Sequence, residues 1–153
     1  MSAVRVDPAL DPLEALAAIE LDGKSGYTDL GAADLESFKP IAEAEVPAQP
    51  YLLAGFDPGR EFLNVTPEAA LPAILAAGRS PLTIAEGMAI LLADPEVLRE
   101  RNCFSLLGSR CGDRRVPALW IKGDGRPRLG WCWQGAPHTW LGSASCEGRV
   151  AID

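Results

Sequence analysis

Five side chains able to hold a soft metal lie within 44 residues of one another: Cys103, Cys111, Cys132, His138 and Cys146. Zinc takes four thiolate or imidazole ligands in a tetrahedron, and this set would supply them if the fold brought them together. The intervening stretches of seven, twenty, five and seven residues do not match the usual knuckle, in which two ligands stand two to four apart. Zinc is therefore the candidate cofactor by ligand type and not by spacing. The competing reading is that these are ordinary buried cysteines, since cysteine is among the most buried residue types. Strand alternation would also send Cys132 to the sheet face opposite Trp131 and Trp133. A cysteine nucleophile with His138 as its base is a second chemistry, because Arg110, Arg114 and Arg115 carry the charge that favours a thiolate. No third residue is marked that would orient the base.

A third chemistry is binding. All four tryptophans, Trp120, Trp131, Trp133 and Trp140, share this segment with Arg114, Arg115, Arg126 and Arg128. Aromatic faces beside guanidinium groups suit planar or anionic ligands, and Trp and Arg dominate binding hot spots. Arg114 and Arg115 precede a strand beginning at Val116, while His138 and Trp140 follow one ending at Trp133. Antiparallel pairing would return the chain to the same sheet end, so Arg114, Arg115, His138 and Trp140 are the candidate binding residues. Against this stands plain packing, in which Trp120 and Arg128 are only cross-strand neighbours.

The elements that must position these residues follow from caps and breakers. Asp11, Pro12 and Glu14 open a helix from Pro12 to about Ile19, with Glu14 completing a capping box, and Gly23 closes the segment. A shorter helix runs from Ala32 to Phe38 and stops before Pro40. Residues 42–50 read as an exposed connection, and Tyr51 to Phe56 as a buried strand. Thr66 starts a helix that ends at Gly78, with a kink or break expected at Pro72. Thr83 and Glu86 form a capping box for a helix to about Ala93, and Asp94-Pro95 restarts a further turn. From Cys103 the texture changes to strands: Cys103–Ser109, Val116–Ile121 and Arg128–Trp133, the last two joined by a turn centred on Asp124. That turn sets Leu119 opposite Leu129 and Trp120 opposite Arg128. The expected fold is α+β, N-terminal helices packed on a C-terminal antiparallel sheet, in a single globular domain over 1–153. Its parts are an acidic helical stretch, 1–102, and a basic, Trp- and Cys-rich sheet stretch, 103–149.

Several strings are similar to an actinobacterial family of uncharacterised proteins: residues 103–120 (Cys103 to Trp120), Leu129-Gly130-Trp131-Cys132-Trp133, Pro137 to Cys146, and the helix start Pro81 to Gly87. The likeness covers roughly residues 24–149. The family is a domain of unknown function, so the resemblance implies a bacterial, cytoplasmic setting and carries no activity, cofactor or catalytic residue.

Charge narrows the partners. Residues 1–98 hold 5 Lys/Arg against 16 Asp/Glu, while residues 99–153 hold 9 against 5, within a net charge of −7. Phosphate contacts dominate nucleic-acid affinity, so an acidic chain is a poor general binder of it. The helices 67–77 and 84–93 resemble a helix-turn-helix only in outline, because no Lys or Arg lies between Arg79 and Arg99 to meet phosphates or base edges. Glycines 108, 112, 123, 125 and 130 follow no dinucleotide or P-loop spacing. No run of 18 apolar residues could span a membrane, and the N-terminus lacks a signal-peptide pattern, so the expected compartment is the cytoplasm with reduced cysteines. The function expected is a binding or regulatory module acting on a small molecule or protein, with its site on the C-terminal sheet. The alternative is a small enzyme using a cysteine or bound metal there. Gel-shift assays at physiological salt should show no duplex DNA retained at protein concentrations below about 10 μM.

Overall fold

In the computed structural model, which describes residues 3–152, each long helix begins where a side chain can cap it. Helix α1 (Pro12–Ala18) starts behind Asp11, whose carboxylate accepts the Leu13 N–H; the reciprocal bond from Glu14 is not made. Helix α2 (Ala32–Ser37) follows, and α3 (Pro67–Ala76) is capped by Thr66 through the Ala69 N–H. Helix α4 (Ile84–Ala93) opens on the expected capping box, with Thr83 and Glu86 exchanging backbone and side-chain bonds in both directions. The break expected at Pro72 does not occur, and α3 runs through it. Proline at the sixth helical position removes only the bond to the Glu68 carbonyl, and both residues are exposed. No helix among the described residues is long and apolar enough to cross a membrane.

The chain is α+β, but the strands are not confined to its last third. Strands β1 (Val4–Val6), β2 (Tyr27–Thr28) and β3 (Tyr51–Ala54) come from the N-terminal part. Strands β4 (Cys103–Ser105), β5 (Arg115–Ile121), β6 (Pro127–Trp133), β7 (Leu141–Ser143) and β8 (Gly148–Ala151) complete the two larger sheets. The three-stranded sheet has the order β1-β3-β8, antiparallel throughout. The five-stranded sheet has the order β7-β4-β5-β6-β2 and is mixed, since β2 runs parallel to β6 and β7 parallel to β4. The antiparallel sheet expected from the sequence is thus only its centre. There the register is the predicted one, with Leu119 opposite Leu129 and Trp120 opposite Arg128.

Two strands differ from expectation in instructive ways. Strand β3 is buried on one face only: Tyr51 and Leu53 are buried while Leu52 is exposed, because β3 lies in a sheet with one open face. The stretch Cys103–Ser109 divides after Ser105, and Ser109–Arg110 pairs instead with Lys39–Pro40. The Gly108 N–H bonds the Leu82 carbonyl, and a Cβ at Gly108 would stand 2.6 Å from it. Only glycine fits that crossing of the segment before α4.

Helix α4 is apolar on nearly every side, and its one charged residue, Glu86, is fully buried. Arg149 of β8 reaches it with two bonds, from Nε to Oε2 and from Nη2 to Oε1 at 2.9 Å. The same guanidinium donates to the Ala44 carbonyl, the Ser80 hydroxyl and the Pro81 carbonyl. Tyr51 donates to Glu86 Oε2 at 2.6 Å. Burial, reinforced by the Glu86 carboxylate, pushes the Tyr51 hydroxyl far above its ordinary range, so it stays a donor. Removing one partner of such a pair strands the other charge, so Arg149→Met or Glu86→Gln should each cost about 3–5 kcal/mol in denaturant unfolding. The double variant should cost less than the sum of the singles; strict additivity would show that the two residues do not act as a pair.

Candidate functional site

The four residues expected to share one binding site stand at opposite ends of the five-stranded sheet. Arg115 begins β5 opposite Trp133, whereas Trp140 precedes Leu141, which pairs with Cys103 beside the far end of β5. The expectation failed because β7 does not turn back antiparallel after β6. It runs in the same direction, so residues 134–140 must cross the length of the sheet first.

Arg115 serves as a clamp. Its guanidinium makes a two-pronged pair with Asp34 at 2.9 and 3.0 Å and a third bond to Asp113 at 2.8 Å. It also lies over the Phe38 and Trp131 rings, at 5.2 and 5.8 Å. The hydrogen bond from Arg115 holds the Asp34 carboxyl below its ordinary value. Hydrogen bonds from Cys111 and then Arg115 draw Asp113 down to about 2. Arg114 is exposed and borders a shallow recess with Trp133 and Gln134. At the other end His138 lies against Trp140 with ring centres 4.9 Å apart, Trp140 meets Trp120 edge-on at 6.1 Å, and Arg128 covers Trp120 at 5.0 Å. A Cβ on Gly130 would come 2.4 Å from the Trp120 ring, so glycine there leaves room for the tip of that ring.

The candidate metal ligands do not converge. Among the described residues no three His, Cys, Asp or Glu side chains come together as a metal would require. Cys103 is buried on β4 and donates to the Arg99 carbonyl at 3.1 Å; burial pushes its thiol up to about 11. Cys146, paired with Ser80, and Cys132 on β6 are likewise raised by burial. Cys111 donates to Asp113 at 3.1 Å. No hydrogen bond joins a described cysteine to His138, so the thiol–imidazole arrangement of a nucleophilic enzyme is not formed there.

A more enclosed concavity than the Arg114 recess was missed in the sequence and lies elsewhere. A cleft of about 320 Å³ opens between the Pro8–Leu13 segment, one face of α2 and the first turn of α4. Leu10, Leu35, Phe38, Val46 and Ile84 line it, with Tyr51 and Thr83 at its base. Asp11, Glu36 and Lys39 stand at its rim and form no ion pair among the described residues. Ala32, Leu35 and Glu36 share one helical face by their three- and four-residue spacing. The α1 cap and α4 capping box fix two of the walls. A sequence signal for the floor existed in the lone acid of an apolar helix, Glu86, although capping alone accounted for it. The walls come from five separated segments and left no local signature.

The chain is thus an α+β protein with a cleft between the Pro8–Leu13 segment, α2 and the first turn of α4. Residues 3–152 match the model of a family of unknown function, DUF5701, and the chain belongs to that family. No curated protein and no solved structure matches it. Under native conditions a thiol reagent should modify Cys111 first, and Cys103 and Cys146 only on unfolding, as read by peptide mass spectrometry. Early labelling of Cys103 would contradict the burial described.

Proposed function

We propose that the protein is a cytoplasmic binding module that takes a small, largely apolar molecule in the cleft between α2 and the start of α4. The observation that carries this reading is the cleft itself. Its volume of about 320 Å³ falls at the lower end of the usual range for small-molecule sites, and its lining sets the hydrocarbon of Leu10, Leu35, Phe38, Val46 and Ile84 among polar groups, of which Tyr51 and Thr83 already bond Glu86 behind them. An occupant gains from burying apolar surface without having to break the Tyr51–Glu86 bond. Four unpaired cysteines favour a reducing compartment, and the acidic balance of the chain disfavours nucleic acid as the partner.

A second reading keeps the binding surface on the C-terminal sheet and rests on the run of His138, Trp140, Trp120 and Arg128, whose planar groups follow one another within about 6 Å. A fragment screen by NMR separates the two. Ligands of the cleft should shift Leu35, Phe38 and Val46 resonances, and Val46→Trp, which fills the opening, should abolish those shifts at least tenfold while preserving the melting transition. Shifts confined to Trp120, Trp140 and His138 would move the function to the sheet end.

A further inference from the structure

Resting on the cleft reading, we infer that the molecule it takes is an apolar cation, an ammonium group on a compact hydrocarbon or aromatic body. The rim carries two carboxylates, Asp11 and Glu36, against the single ammonium of Lys39. Asp11 uses one oxygen, Oδ1, to cap α1. Neither carboxylate has a cationic partner within the protein among the described residues. Behind the apolar wall, the Arg115 guanidinium over Phe38 is answered by both Asp34 and Asp113, so it adds no net positive field to the cleft. The Arg149 charge beneath the floor is answered by Glu86 in the same way. Residues 1–50, which build most of the walls, carry three Lys/Arg against ten Asp/Glu. A site with hydrocarbon walls under a negative rim attracts a cation and repels a carboxylate of the same shape.

The experiment uses three probes of matched shape: 2-phenylethylamine, 2-phenylethanol and phenylacetate, titrated by NMR into the full chain. The amine should bind about fivefold more tightly than the alcohol, with the carboxylate weakest, and raising salt should erase the difference. Glu36→Gln, an exposed change on α2, should remove about half of the amine's advantage over the alcohol on a logarithmic scale. Equal binding of all three, or a preference for the carboxylate, would overturn the inference while leaving the cleft reading intact. Should none of the three shift Leu35, Phe38 or Val46 at millimolar concentration, the cleft reading falls with it.

Discussion

The bond between Arg149 and Glu86 ties the first turn of α4 to the last strand, beside the ladder that already pairs that strand with β3. Arg149 sits on the last strand, Glu86 at the third position of α4, Tyr51 on the central strand of the smaller sheet, and Ala44 in the turn before it. A charged pair this deep loses most of its attraction to desolvation unless every remaining donor and acceptor is satisfied. Here the guanidinium gives all its bonds to named partners and the carboxylate accepts from Arg149, Tyr51 and the Thr83 backbone. The same residue that caps α4 therefore also anchors the C-terminal strand, and the cleft floor inherits its rigidity from that double use.

The charge asymmetry of the sequence has the same origin. Arg115, Arg128 and Arg149 all come from the basic final third, and their partners Asp34, Asp29 and Glu86 all come from the acidic part. What looks along the chain like a basic face awaiting an external anion is in part an internal complement, spent in bringing distant segments together. The exposed pairs contribute little each, since solvent screens them. Arg115 differs in being braced by two carboxylates and two aromatic rings at once. Its role in holding α2 against the sheet accounts for its unavailability as a binding residue.

Local rules were legible and long-range ones were not. Capping at Asp11, Thr66 and Thr83, and the register set by the turn at Asp124, follow from neighbours within a few residues. The parallel pairing of β2 with β6 and β7 with β4 depends on segments up to about a hundred residues apart, for which one sequence offers no signal. A cluster of rare residue types also proved a poor guide to a site. The cysteines and tryptophans of the last third were concentrated in sequence, yet strand alternation and the crossing of residues 134–140 separated the cysteines and split the tryptophans into two pairs.

Where the cleft forms follows from these constraints. The β7 edge of the larger sheet is closed by tight contact, as at Gly59, whose left-handed backbone (φ +78°) leaves a would-be Cβ 1.8 Å from the Ser143 carbonyl. No room for a ligand remains there. The short α1 and α2, by contrast, are separated by two-residue strands and turns, and α1 packs on α4 while α2 has little contact with it. The space between α2 and the start of α4 is left for the cleft. Because α4 is pinned at its first turn by Glu86, that gap cannot close by a shift of the helix without breaking the buried pair. The open space is thus a consequence of the strongest constraint in the structure, and its acidic rim is what the internal pairing left over.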